Sequence, residues 1–257
     1  MNFGEQLREW RTHRRMSQLD LALEAGISAK HLSFLETGRA RPTEGMILRL
    51  AQALDIPARD QGLLFSAAGF RPRFATQLAR SLDDFPLPVA QAIRLLLARH
   101  DPFPGIVFDA EYNVLAANAA FANLAAAAGI AFAPGDNFLE AYLGEPKLRT
   151  LIRNWERTAA DLVHRIRTEA WLQGPRSPLA SRISRLAVLS DVADALEHFP
   201  ESDRLPVLPI EMEIGGKVLS WITTLTSFGS AQDALVQGVT IESFFPADEE
   251  TRRQFEH

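Results

Sequence analysis

Residues 16–54 read MSQLDLALEAGISAKHLSFLETGRARPTEGMILRLAQAL, and this stretch decides the fold of the first part of the chain. Ser17 precedes a run with helical apolar spacing, and Asp20 follows it by three residues, as in a capping box at a helix N-terminus. Gly26 predicts the end of that helix, because glycine accepts the backbone conformation of a tight turn. Ser28 predicts the cap of the next helix. The pattern therefore predicts two short helices joined by a tight turn.

Helical patterns also flank this stretch. Residues 3–15 predict a basic amphipathic helix, Thr43 predicts the cap of a fourth helix, and residues 59–69 predict a fifth that ends at Gly69. We therefore expect an all-α domain of five helices over residues 1–70. Four arginines of the first helix either face phosphates or form a solvated face, and both interpretations stay open: Arg8, Arg11, Arg14 and Arg15.

The quoted stretch resembles the helix-turn-helix (HTH) domains of the XRE group, the phage-repressor type. The resemblance covers roughly residues 3–65. It is carried by Gln18, Leu21-Ala22, Ala25-Gly26-Ile27-Ser28, Leu32, Leu35-Glu36-Thr-Gly38-Arg39 and Pro42. It implies that the third helix enters the major groove of double-stranded DNA. The alternative is a small helical bundle that uses these residues only for packing.

The same resemblance implies which residues meet DNA. Residues at the start of the third helix reach base edges, where a lysine can donate to guanine and apolar side chains can contact a thymine methyl group. Others contact phosphates, including Gln18 at a helix N-terminus. The implied DNA-binding set is Gln18, Ser28, Ala29, Lys30, His31, Ser33, Phe34, Thr37, Arg39, Arg41 and Thr43.

Charge divides the chain into two parts. The net formal charge is -5, but residues 1–73 carry a balance of +3 and the remainder a balance of -8. Phosphates attract the first part and repel the second. The chain has no cysteine, which excludes disulfides and thiolate metal sites. Without a signal-like N-terminus or a long apolar run, we expect a cytoplasmic protein with no membrane contact.

The rest of the chain mixes helices and strands. We expect a helical connector over residues 71–99, with a helix at 88–99, and a second domain over residues 100–257. Two strand-like runs come early in that domain, and three β-rich runs come late. The strands are predicted at 105–109, 113–118, 206–214, 217–228 and 234–245, with helical stretches at 119–128, 137–171 and 178–198. One antiparallel sheet with helices across one face accommodates them, as in an α+β domain.

Residues 90–257 resemble the ligand-binding domain of MmyB-like regulators, a PAS-like module behind an XRE-type HTH. The resemblance is carried by HDPFPGIVFDAEYNVLAANAAF (100–121), by NFLEAYLGEPKLRTLIRNWERTAADLVHRIRTEA (137–170) and by VTIESFFPADEETRR (239–253). It implies an internal apolar pocket for a small effector such as a fatty acyl compound. The candidate ligand-binding residues are Phe108, Leu115, Asn118, Phe121, Leu124, Trp155, Leu162, Trp171, Trp221 and Phe228.

Alternative interpretations of these residues stay open. Each large apolar side chain can be plain core, and Asn118 either points into the pocket or caps the helix that it begins, which we favour. Four arginines near Trp155 can pair with an effector carboxylate or form surface salt bridges: Arg153, Arg157, Arg165 and Arg167.

No catalytic constellation emerges from the sequence. The six histidines show no metal-ligand spacing, and neither a phosphate-binding glycine loop nor a nucleophile elbow occurs. We therefore expect no enzyme activity, no metal and no cofactor. The expected function is effector-controlled transcription regulation, as a homodimer on two half-sites. The alternative is a DNA-binding regulator whose C-terminal domain only dimerises or binds a protein.

Overall fold

A computed structural model describes residues 1–72, 79–205, 207–228 and 234–256. The chain forms two compact units. The first comprises Met1–Gln77, Ala170–Ser177 and Ser230–Gln237, and the second comprises Leu78–Glu169, Pro178–Gly229 and Gly238–His257. Both units are therefore discontinuous in sequence.

The secondary-structure elements follow in chain order. The helices are α1 (Phe3–His13), α2 (Gln18–Glu24), α3 (Ala29–Glu36), α4 (Glu44–Ala53), α5 (Ala58–Ala67), α6 (Leu87–His100), α7 (Ala119–Ala127), α8 (Phe138–Gly144), α9 (Pro146–Leu151), α10 (Trp155–Gln173), α11 (Pro178–Leu186), α12 (Ser190–His198), α13 (Ala234–Gln237) and α14 (Glu249–Phe255). The strands are β1 (Gly105–Phe108), β2 (Val114–Ala117), β3 (Ile210–Ile214), β4 (Lys217–Ser227) and β5 (Thr240–Pro246).

The first unit begins with the five helices that the sequence predicts. The Ser17 hydroxyl accepts a hydrogen bond from the Asp20 N–H at 3.1 Å, and the Asp20 carboxylate accepts one from the Ser17 N–H at 2.9 Å. Ser28 and Thr43 cap α3 and α4 through their hydroxyls. The predicted capping box and both caps are thus confirmed.

Apolar faces of these helices converge on one core. Leu7, Leu21, Leu32 and Ile47 are fully buried there, together with Phe65. A side chain of any size is excluded at one point of this packing. A Cβ on Gly4 of α1 would lie 2.5 Å from the carbonyl oxygens of Leu35 and Glu36. The close approach of α1 to the end of α3 therefore depends on glycine.

The second unit contains one antiparallel sheet with strand order β2-β1-β5-β4-β3. The three late strands form a meander, and β1 pairs with β5 so that Ile106 lies opposite Glu242. The predicted combination of two early and three late strands in one sheet with helices is confirmed, as is the α+β class of this part.

Several predicted elements differ from the structure. Residues 234–237 are helical in α13, so the last strand begins only at Thr240. The stretch 137–171 is divided into three helices, since Pro146 begins α9 and a turn at 152–154 precedes α10. Of the predicted connector, residues 73–78 lie outside the described part, and the remainder holds a 3₁₀ turn at Leu82–Asp84 before α6.

The stretch 178–198 is two helices rather than one. The buried side chains of α11 include Leu179 and Ile183, and those of α12 include Val192. In one straight helix Val192 would point about 140° away from Leu179, given about 100° per residue. The chain therefore breaks at residues 187–189, which lets both apolar faces reach the core.

Across the described ranges, no helix combines the length and the apolar character needed to cross a membrane. The same ranges contain no cluster of three or more side chains suited to hold a metal ion.

Candidate DNA interface and effector-binding region

One side of α3 faces outward while the other side is core. Leu32 and Leu35 are buried, whereas Lys30 is exposed and Ser33 and Phe34 are partly exposed. The Lys30 ammonium lies 5.8 Å from the centre of the Phe34 ring. Four implied base readers therefore share one outward surface: Ala29, Lys30, Ser33 and Phe34. This surface offers one cation, one hydroxyl and two apolar groups.

The other implied DNA-binding residues fall into two groups: some side chains are exposed, and others already have a partner in the protein. Thr37, Arg39 and Arg41 are exposed on the loop after α3. The hydroxyls of Ser28 and Thr43 accept hydrogen bonds from helix N–H groups, so they act as caps. The His31 ring faces α4, because its Nε2 lies 3.3 Å from the Met46 sulfur. His31 is therefore a packing residue in this structure.

A buried ion pair fixes α3 against α1. Arg11 donates through Nε to Glu36 Oε1 at 2.6 Å and through Nη2 to Glu36 Oε2 at 3.1 Å. The Gln18 amide donates to Glu36 Oε2 at 2.8 Å, and Arg11 also donates to the Met16 carbonyl at 2.9 Å. The Glu36 side chain is 2% exposed. The side chains of Arg11 and Gln18 thus serve structure, which sequence reasoning did not identify.

Trp171 does not belong to the predicted effector pocket. It is 45% exposed and lies in the first unit, where the Arg14 guanidinium is 4.9 Å from its ring centre. The His13 ring stacks on it at 5.5 Å. Trp171 comes 16 residues after Trp155 on α10, about 24 Å farther along the helix axis. The assignment of Trp171 to the pocket was therefore wrong, because both tryptophans share a helix but not a core.

The remaining candidate pocket residues lie in the second unit. Buried members of this set are Phe108, Leu115, Asn118, Phe121, Leu124, Trp155, Leu162 and Trp221, while Phe228 is partly buried after the end of β4. Phe121 and Trp221 both contact Phe244, with ring centres at 5.9 Å and 6.3 Å. Phe108 contacts Phe138 at 5.0 Å. The structure thus brings Phe108, Phe121 and Trp221 into one aromatic layer, joined through Phe132, Phe138 and Phe244.

Asn118 caps α7, as the favoured interpretation predicts. Its Oδ1 accepts hydrogen bonds from the N–H groups of Phe121 and Gly105, at 3.0 Å and 2.9 Å. Its amide donates to the Phe103 carbonyl at 2.8 Å and to Asp101 Oδ1 at 2.9 Å. These four bonds occupy the side chain, so it has no hydrogen-bonding group left for an effector.

A group of polar side chains lies within the apolar layer, and sequence reasoning missed it. Glu242 is 3% exposed, and burial raises the pKa of its carboxyl, which the nearby Arg165 guanidinium opposes. The Tyr112 hydroxyl donates to Glu169 Oε2 at 2.9 Å, and burial raises its pKa. Glu242 Oε2 and Trp221 Nε1 have no hydrogen-bond partner among the described residues.

Sequence signals for this polar group were weak. Alternation along β5 places Glu242 on the same side as Phe244, but an isolated acid in a strand is usually read as solvent-facing. The aromatic partners Phe138 and Phe244 stood inside the resembling segments and were still not singled out. Only the contacts show that they join the candidate residues.

Comparison with known proteins adds family evidence to this geometry. Residues 89–257 match the family described as MmyB-like transcription regulator ligand binding domain, and residues 7–61 match the helix-turn-helix family. Both matches agree with the resemblances carried by the sequence.

Two curated relatives from Bacillus subtilis share the N-terminal part. The HTH-type transcriptional repressor RghR is 42% identical over 67 residues, which are 26% of this chain and 48% of that protein. The uncharacterized HTH-type transcriptional regulator RghRB is 33% identical over 84 residues, 32% of this chain and 58% of that protein. The chain thus spans about half the length of these relatives.

The match to the ligand-binding domain extends over more than half of the chain and contains the complete five-stranded sheet. The N-terminal match covers α2, α3 and α4, most of α1 and the beginning of α5. The protein therefore belongs to the family of MmyB-like transcription regulators, with a helix-turn-helix domain at its N-terminus.

Proposed function

We propose that the protein is a sequence-specific DNA-binding regulator whose C-terminal domain binds a small, mainly apolar effector. The observation that carries the DNA part is the outward surface of α3. Lys30 stands there unburied beside Ser33 and Phe34, while the opposite side of the helix is fixed in the core. A helix presented in this way suits the major groove, where Lys30 can donate to guanine O6 or N7.

The side chains on α3 suggest how sequence is read. With few long polar groups beside Lys30, we expect apolar contacts to thymine methyl groups and DNA shape to contribute to specificity. Thr37, Arg39 and Arg41 supply the phosphate contacts. Two copies of the chain, acting as a homodimer in the cytoplasm, would meet half-sites about one helical turn apart.

The effector part rests on the match to a ligand-binding domain and on the aromatic layer around Phe108, Phe121 and Trp221. We propose that an effector enters this layer and shifts the population of two arrangements of the protein, only one of which binds the operator well. Fatty acyl compounds are the proposed class. The absence of a recognisable catalytic arrangement in the sequence supports a regulatory role over an enzymatic one.

Selection of binding sites from a random DNA library, followed by titration of the selected duplex, tests the DNA part. Lys30→Ala should weaken binding to the selected site about tenfold or more, with little change on unrelated DNA. Lys147→Ala, a cation lost from α9, is the control and should leave binding unchanged. Equal loss of Lys30→Ala on all sequences would reduce Lys30 to a phosphate contact.

Native mass spectrometry of the full-length protein tests the effector part. A co-purified apolar molecule that is released on denaturation supports the proposal. If no added fatty acid binds and DNA binding never responds, the C-terminal domain serves dimerisation or protein contact instead.

A further inference from the structure

The Phe34 ring on the outward side of α3 is not explained by the core of the first unit. Within the described part of the chain, Ala29, Ala40 and Met46 pack against that core, whereas Phe34 does not. The ring is only partly buried, and the Lys30 ammonium lies over it at 5.8 Å from the ring centre. Stability of the core therefore does not account for a large aromatic side chain at this position.

The pairing of Lys30 with Phe34 fixes the two groups relative to each other. Residues four apart on a helix lie on one side of it, about 6 Å apart along the axis. An ammonium within about 6 Å of a ring centre is attracted to the face of the ring. The backbone is held as well, because the Phe34 carbonyl accepts hydrogen bonds from the N–H groups of Arg39 and Ala40, at 2.8 Å and 3.1 Å. A cation and an apolar ring thus form one preorganised unit.

The side chains around this unit restrict which bases hydrogen bonds can read. Two-bond reading of adenine needs an amide, and reading of the cytosine amino group needs a carboxylate. The α3 sequence has no amide, and its single carboxylate, Glu36, is buried against Arg11. The Gln18 amide of α2 already donates to the same Glu36. Hydrogen bonding from this surface therefore favours guanine, whose O6 and N7 accept from Lys30.

The Phe34 ring has no hydrogen-bonding group, so it recognises a base by apolar contact. The C5-methyl group of thymine is the apolar group that a base pair presents in the major groove. 5-Methylcytosine carries the same methyl group at the same ring position, whereas cytosine and uracil lack it. Because stacked base pairs are about 3.4 Å apart, the 5.8 Å between Lys30 and the Phe34 ring places the guanine and the methyl group within about two base-pair steps.

We propose that Lys30 and Phe34 together read a 5-methylpyrimidine close to a guanine, so that the protein accepts 5-methylcytosine and discriminates against unmethylated cytosine at that position. The inference rests on the proposed function, because it names the base combination that α3 recognises. It adds a covalent mark on DNA, the product of a cytosine C5-methyltransferase, to the signals that the regulator follows.

Titration of chemically modified duplexes tests the methyl contact. A duplex selected by the full-length protein from a random library is synthesised again with each thymine in turn replaced by uracil, which removes only the methyl group. Replacement of one thymine in each half-site should weaken binding about fourfold, as expected for the loss of one buried methyl group. With guanine as the pairing base, 5-methylcytosine at that position should bind about fourfold more tightly than cytosine.

Variants of the protein connect this preference to the ring. Phe34→Ala should bind the thymine and uracil duplexes equally well, and Phe34→Leu should retain part of the preference because it keeps an apolar side chain. Leu63→Ala is the matched control, since Leu63 is an apolar side chain on α5 that is 39% exposed. It should keep the full preference for the methyl group. Circular dichroism melting checks that all variants remain folded.

Modified guanines test whether Lys30 acts beside the ring. Each guanine is replaced in turn by 7-deazaguanine, which lacks N7, and by 6-thioguanine, in which sulfur replaces O6. One guanine should be sensitive to replacement with the unmodified protein but not with Lys30→Ala, and it should lie within about two base-pair steps of the methyl-sensitive thymine. A Lys30-dependent guanine farther away would overturn the joint reading.

Three further results would overturn the inference. Uracil has no effect at any thymine, Phe34→Ala keeps the sensitivity to uracil, or 5-methylcytosine binds no more tightly than cytosine at the sensitive position. A protein that selects a duplex but gives one of these results keeps its proposed function and loses this contact. A protein that selects no duplex fails the proposed function itself, and the inference with it.

Discussion

Glu36 at the end of α3 offers the sharpest test of how the DNA-binding surface is held. Glu36→Gln removes the charge that faces Arg11 but preserves the size of the side chain and one acceptor for Gln18. The Arg11 and Glu36 side chains are only 13% and 2% exposed, so water cannot replace the lost partner. Removing one member of a buried ion pair typically costs about 3–5 kcal/mol. Because the amide retains a neutral hydrogen bond, we expect a loss of about 3 kcal/mol.

Hydrogen exchange of the full-length protein, followed by mass spectrometry, measures this loss locally. A cost of about 3 kcal/mol should speed exchange of protected α1 and α3 amides about 100-fold. Glu44→Gln is the control, since Glu44 is exposed at the start of α4 and its loss should cost less than about 1 kcal/mol. If Glu36→Gln exchanges no faster than Glu44→Gln, the ion pair does not hold α3 and the reasoning fails.

Three further changes test the packing of both units. Gly4→Ala should lower the free energy of unfolding of the first unit by about 1–3 kcal/mol, because its Cβ meets backbone oxygens at 2.5 Å. Gly45→Ala is the control, because a Cβ there meets open space, and it should be neutral or stabilising by about 1 kcal/mol. If hydrogen exchange showed the same effect for both glycine variants, the close contact of Gly4 with the end of α3 would be contradicted. Asn118→Asp keeps the cap of α7 but loses the amide donors to Asp101 and to the Phe103 carbonyl. We expect this to lower the free energy of unfolding by about 2 kcal/mol, which lowers the thermal midpoint by several degrees. An unchanged midpoint would show that these donors do not contribute to stability. The pKa of Glu242 is raised in the folded protein above its ordinary value of 4.5. The contribution of Glu242 to the free energy of unfolding is therefore most favourable at low pH, and it is lost as the pH rises above 4.5 towards the raised pKa. Glu242→Gln should therefore stabilise the protein against urea more at pH 8 than at pH 5. If the variant and the unmodified protein differed in stability by the same amount at both pH values, the raised pKa of Glu242 would be refuted.

Local signals account for the parts of the fold that the sequence predicts well. Ser17, Ser28 and Thr43 cap helices through bonds to residues only three positions away, so their role is visible without tertiary information. Alternating side chains in β4 and β5 likewise predict strands. The break between α11 and α12 was missed, because each half has helical periodicity and only the change of phase between them signals a turn.

The candidate sites were predicted less completely, for a physical reason that particular residues illustrate. Trp155 and Trp171 look equivalent in sequence, yet one is core of the second unit and the other stacks with His13 and Arg14 in the first. Arg11 looks like Arg8, yet Arg11 is partly buried and pairs with Glu36, 25 residues away. Burial and partner depend on which distant segments meet at a position, and no local pattern encodes that.

By itself, the sequence determined the N-terminal helix-turn-helix, its caps, the α+β character of the second domain and the resemblance to MmyB-like regulators. These follow from short-range hydrogen bonding and from periodicity, which depend on neighbouring residues. Tertiary structure alone decided that Gln18 serves the Arg11–Glu36 pair and that Glu242 lies among aromatic rings. Each of these depends on contacts between segments far apart in the chain, whose free energies are set by the burial and charge that folding creates.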